Sequence, residues 1–165
     1  MNVKTFITAL GVAACFASPM AQVEAHVLDG AAEYNGHYYK IFDAPMHWKD
    51  AETFCRSMGG HLATAETADE NTMLKQMVIK HGGDSHFWIG GHREKNKIWR
   101  WVTGKVIADY FDWVGNKPRS GTSGGGDNLS LYRTEDGKWD NLGSLSDYPF
   151  VCEWESAQDA HESTL

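Results

Sequence analysis

Trp48-Lys49-Asp50-Ala51-Glu52-Thr53-Phe54-Cys55-Arg56-Ser57-Met58-Gly59-Gly60-His61-Leu62-Ala63 is the stretch on which the fold turns. Trp48, Ala51, Cys55 and Met58 recur at steps of three and four, so between Pro45 and Gly59 one helical face is apolar and carries a cysteine toward a core. Gly59-Gly60 ends that helix. Upstream, Tyr34 to Phe42 is aromatic and β-prone around Asn35-Gly36, which predicts a strand pair joined by a tight turn. Downstream, Thr67-Ala68-Asp69-Glu70 has capping-box spacing, and Met73, Leu74, Met77 and Val78 supply the inner face of a second helix that stops at His81-Gly82-Gly83.

From Phe87 onward the helical period is lost. Phe87-Trp88-Ile89, Ile98 to Val102, Leu129 to Tyr132 and Pro149 to Trp154 are short apolar runs between turns, which reads as strand and loop. Helices followed by strands define an α+β domain. Trp113 to Leu129 shows no periodic pattern and contains Ser120-Gly121-Thr122-Ser123-Gly124-Gly125-Gly126, a long loop of the kind that carries function. Residues 156–165 are small and polar and are expected to form a disordered tail.

The N-terminus reads as an address. One positive charge at Lys4, an apolar Thr5 to Ala17 and small residues up to Val23-Glu24-Ala25 describe a secretory signal peptide over 1–25, leaving a body from His26. Val12-Ala13-Ala14-Cys15 also fits a bacterial lipobox, which would instead anchor the chain by lipid at Cys15. Either route leads out of the reducing cytosol to a secreted, periplasmic or cell-surface location. No later window approaches the roughly 20 apolar residues of a membrane span. The body then holds only Cys55 and Cys152, an even pair in an oxidising compartment, and their pairing closes a large loop.

The 165 residues suffice for one domain, and 42% hydrophobic content with 12% aromatic excludes wholesale disorder. With 15 basic against 22 acidic side chains and no basic run, nucleic acid is excluded as a partner class. The sequence carries no nucleophile elbow, phosphate loop, dinucleotide fingerprint or paired catalytic Cys and His, so the reading is non-catalytic. His81, His86 and His92 follow no helical i, i+4 spacing and no His-Glu-x-x-His set exists, which gives zinc no sequence signature.

Trp48-x-x-Ala51-x-x-x-Cys55 with Gly59-Gly60-His61-Leu62-Ala63, then Trp88-Ile89-Gly90-Gly91, Gly137-Lys138-Trp139-Asp140-Asn141 and Phe150-Val151-Cys152-Glu153 follow one another along the chain. In these motifs the chain resembles a C-type lectin-like domain, and the resemblance spans Tyr34 to Glu155 within a domain placed at 26–155. It implies two helices, two small mostly antiparallel sheets, a Cys55–Cys152 bridge from helix to last strand, and a long loop bearing the ligand site. Trp48, Trp88, Trp99, Trp101 and Trp139 fall on its core positions. Its second, loop disulfide would fall near Leu129 and Ser144, and neither is a cysteine, which makes this a short form with a single bridge.

In sugar-binding members of that family, loop carboxylates and amides hold calcium and touch the sugar together. Here the Glu-Pro-Asn signature, aligned on Trp113 and Pro118, reads Lys117-Pro118-Arg119. Asp127, Asp140 and Asn141 are the oxygen side chains that remain as candidate calcium ligands, a degenerate set. A unit charge at ~4 Å costs roughly 4 kcal/mol at effective dielectric 20, so Lys117 and Arg119 work against the ion and are expected to serve as counterions to Asp127 and Asp140. Lys117, Arg119, Asp127, Asp140, Asn141 and Trp113 form the candidate ligand face. The ligand it implies is a glycan or glycoconjugate with weak or no calcium dependence; the alternatives are a protein partner in adhesion, or a structural role in a cell envelope.

Overall fold

The computed structural model describes residues 26–118 and 126–162. The signal peptide, the lipobox cysteine and Arg119 lie outside them. The elements are β1 (Ala32–Tyr34), β2 (His37–Met46), α1 (Trp48–Ser57), β3 (His61–Leu62), α2 (Ala68–His81), β4 (His86–Arg93), β5 (Trp99–Trp101), β6 (Asn128–Tyr132), β7 (Lys138–Leu142) and β8 (Tyr148–Trp154). The strands run β1-β2-β8-β4-β6-β7, with β3 added on β8 and β5 on β4. Every pairing between these strands is antiparallel except one parallel bridge, Trp88 to Phe150, where β4 meets β8. The two expected sheets are therefore two antiparallel sections that merge at one bridge.

Asn35 and Gly36 both have positive φ, 52° and 86°, and form the turn between β1 and β2 that the sequence calls for. Thr67 caps α2 by accepting from the Glu70 amide at 3.2 Å, but the Glu70 carboxylate reaches the Glu66 amide at 2.8 Å instead of closing the box on Thr67. Asn71, Leu74 and Val78 are the buried residues of α2, while Met73 and Met77 pack at the rim of the core. The indoles find acceptors: half-buried Trp48 donates to the Ile89 carbonyl at 2.8 Å, buried Trp88 to the Met46 carbonyl at 3.0 Å and buried Trp154 to the Met58 carbonyl at 2.8 Å.

Two cores lie on opposite faces of β8. Phe150, Cys152 and Trp154 pack with Ala51, Cys55 and Leu62, whereas Val151 joins Tyr39, Leu74, Ile89 and Trp139 on the other side. Cys55 and Cys152 are bonded, with 5.5 Å between their Cα atoms. Residues 156–162 are not the disordered tail expected from their composition. Ala157–Asp159 forms a 3-10 turn, Ala160 is buried, and the His161 amide donates to the Met58 carbonyl at 3.1 Å. Gly59 makes this docking possible, because a Cβ there would sit 1.7 Å from the Asp159 carbonyl oxygen. Among the described residues no helix is long and apolar enough to cross a membrane.

The Cys55–Cys152 bridge closes 97 residues of chain. Replacing both cysteines by Ala should lower unfolding free energy by about 4–5 kcal/mol in the chain-entropy account, read as a lower urea midpoint with a steeper slope, because the unlinked unfolded chain exposes more surface.

Candidate functional site: the foot of the long loop

The long loop leaves the body after Tyr110 and returns at Gly126, so its foot is built on β7 and β6. Trp113 bridges Trp139 in parallel fashion, the Val114 amide donates to the Trp139 carbonyl at 2.9 Å, and the Trp139 amide donates to Asp112 at 2.7 Å. Asn71 on α2 fixes the same foot: its amide nitrogen donates to the Tyr110 hydroxyl at 3.0 Å and the Asp112 carboxylate at 2.8 Å, and its oxygen accepts from the Trp139 indole at 2.7 Å. Trp113 lies tilted at 5.0 Å from Trp99 and edge-on at 5.5 Å from Trp139. That half-buried ring packs against two core tryptophans.

The five candidate residues that are described do not gather around one point. Lys117, beside a cis Lys117–Pro118 bond, forms an ion pair with Asp140 in which both side chains are largely buried, 12% and 8% exposed. Asp127 pairs with Arg93 of β4, whose Nε donates at 2.7 Å, instead of with Lys117. Arg93 belongs to the basic segment His92 to Lys97, and its guanidinium also lies 5.7 Å from the Trp99 ring. Asp140 and Asn141 are consecutive on β7 and so leave opposite faces of the strand. Asn141 is fully buried and donates to the Gly126 carbonyl at 2.8 Å, where it ties down the returning loop. The counterion expected at Asp140 is thus present in Lys117, the one expected at Asp127 is Arg93, and Asn141 is a strut.

Calcium requires several oxygen ligands around one point. Among the described residues, Asp140 faces an ammonium, Asp127 a guanidinium, and the Asn141 amide nitrogen donates inside the fold.

His86 was not singled out by sequence as part of this region. It faces Tyr132 across β4 and β6, stacks on it at 4.2 Å, and lies 3.2 Å from the Ser130 hydroxyl. Burial pushes its imidazole below the ordinary value, Asp140 opposes that shift and Lys117 adds to it.

A profile described as "Lectin C-type domain" matches residues 44–154. The chain belongs to the C-type lectin domain family. Among curated relatives it is 34% identical over 130 residues to Snaclec 3 of Sistrurus catenatus edwardsii, covering 74% of this chain and 81% of that one. It is 32% identical over 144 residues to a snaclec coagulation factor IX/factor X-binding protein of Trimeresurus stejnegeri, covering 83% and 90%. Human lithostathine superposes with a TM-score of 0.69 at 27% identity over 76% of this chain and 88% of that one. A calcium-independent type II antifreeze protein superposes with a TM-score of 0.65 at 26% identity, covering 75% and 90%. This C-type lectin-like chain is a non-catalytic ligand-binding domain.

Two measurements follow from the site. Lys117→Met should cost about 3 kcal/mol in urea unfolding, because it strands the buried Asp140 carboxylate, and adding Asp140→Asn should recover part of that loss. A histidine held below its unfolded value binds fewer protons folded than unfolded, so its stabilising share is present above about pH 6.5 and is lost as pH falls below it. His86→Gln should therefore lose less stability than the parent between about pH 7.5 and about pH 5.5, followed by thermal unfolding.

Proposed function

We propose that this protein is a secreted, calcium-independent recognition domain whose ligand is a protein surface, bound by the face around the long loop. The observation that carries this reading is the Lys117–Asp140 ion pair, which puts an ammonium on the carboxylate that a metal-bridged sugar site would need. Leu145, 83% exposed in the turn after β7, supplies an apolar contact beside the returning loop at Gly126 and Gly143. The pair Arg93–Asp127 offers a charged rim, suited to orienting a partner. The snaclec relative named as a coagulation factor-binding protein supports a protein ligand, and the calcium-independent antifreeze structure supports a fold that works without the ion. Secretion is supported by the leader reading of residues 1–25 together with the Cys55–Cys152 bridge, which needs an oxidising compartment.

The unfolding midpoint should be the same in EDTA as in millimolar calcium, since a ligand selective for the folded state would raise it. A glycan array in calcium buffer should stay blank, and a protein partner captured from the surrounding secretions should be lost with Leu145→Asp. Array signal abolished by EDTA would return the function to calcium-dependent glycan binding.

A further inference from the structure

A second acidic centre shares none of the loop-foot residues. The β2–β8 register pairs Tyr38 with Trp154 and Tyr39 with Glu153, which carries His37 to the level of Glu155. The two-residue period then sets His37, Tyr39, Glu153 and Glu155 on one face, and His61 of β3, opposite Glu153, joins them. They open into a cleft of about 380 Å³ that also receives Glu66 and Glu70.

We propose that His37, Glu153 and Glu155 bind a divalent transition-metal ion, with zinc the ion their donor set suits. One ligand atom from each lies within 4.8 Å of the others. His37 Nδ1 is 2.8 Å from Glu153 Oε1, and His37 Nε2 is 3.5 Å from Glu155 Oε2. Tetrahedral zinc with bonds of about 2.0–2.2 Å spaces its ligand atoms by about 3.4 Å, and because one ion takes a single ring nitrogen, closing the shell brings the Glu155 carboxylate and the Glu153 carboxylate to the same nitrogen of His37, from the 4.8 Å within which one atom of each already lies. Glu153, 1% exposed, is the fixed member, while His37 at 35% and Glu155 at 54% are free to swing onto the ion.

The cleft is short of positive charge. Among the described residues Glu66 has Lys105 at 2.8 Å, but no Lys or Arg lies within ion-pair distance of Glu70, Glu153 or Glu155. A dication would answer this deficit of positive charge.

The outer shell is already built. Glu153 Oε2 accepts from the Thr64 amide at 2.8 Å and hydroxyl at 3.2 Å, so Oε1, which now faces His37, is the oxygen that turns to the ion. Tyr39 donates to Glu70 at 2.7 Å and reaches Glu153 Oε1 at 3.3 Å. His61 holds Glu155 Oε1 at 3.0 Å through Nε2, while its Nδ1 sits 2.9 Å from the Leu62 carbonyl. An imidazole with two carboxylates favours zinc over magnesium or calcium, which prefer all-oxygen shells.

Titration calorimetry of the oxidised, tag-free protein with zinc chloride, repeated with calcium chloride, tests this site. One equivalent of zinc should bind. His37→Ala and Glu155→Gln should each weaken it at least about tenfold, and His81→Ala, whose ring pairs with Asp43 at 2.8 Å elsewhere, should leave it unchanged. Glu155 is exposed enough for Glu155→Gln to keep the fold, checked by circular dichroism. No zinc binding, zinc binding indifferent to both substitutions, or calcium binding as tight as zinc that survives His37→Ala would each overturn the proposal.

Discussion

The alternation of β8 is the constraint on which the rest of the structure depends. Its residues go alternately to two cores: Phe150, Cys152 and Trp154 toward α1, Val151 toward α2 and the tryptophans. It pairs with β2, β3 and β4 at once, so a slip of one residue would exchange the two faces and bury Glu153 where Cys152 now meets Cys55. The disulfide therefore does more than shorten the unfolded chain, because it fixes the register of the central strand against α1. Glu153 offsets the cost of its burial with the Thr64 amide and hydroxyl, the Tyr39 hydroxyl and His37, contacts that exist only in that register.

From β8 outward, the fold hands its polar residues to two separated places. At the loop foot each loop acid has its own cation, Lys117 for Asp140 and Arg93 for Asp127. Lys75 adds to the same pattern by lying 3.0 Å from Asp112 and 3.3 Å from Asp136. The foot is thus held by charge pairs and by the Asn71 network rather than by a second disulfide, and the Trp99, Trp113 and Trp139 rings fill the space between them.

Much of this was legible in the sequence, and the boundary of legibility has a physical cause. Local periodicity located both helices and the runs that became β4, β5, β6 and β8, because one buried face imposes its own period. It failed at Ala160, whose burial depends on Gly59 being close and without a side chain, a relation across the whole domain. It also assigned Asp127 to Lys117 and Arg119, since loop neighbours are what a sequence shows, whereas Arg93 reaches that carboxylate across the β4–β6 pairing. The cluster of His37 with Glu153 and Glu155 joins residues 116 positions apart and obeys no spacing rule. Only strand register could bring it together.

The two centres differ in how their negative charge is met, and that difference bears on what each can still bind. A carboxylate already paired with a Lys or Arg in a largely buried setting gains little from a further cation, which would have to displace an ammonium fixed by the chain itself. Asp140 is in that condition, and under the proposed protein-binding reading the loop foot would recognise its ligand through shape, rim charge and the exposed Leu145. Glu153 is in the opposite condition, met by a histidine and neutral donors in a cleft open to solvent. On the proposed reading, cations supplied by the sequence close the loop foot to metal, and their absence leaves the His37 cleft open to it.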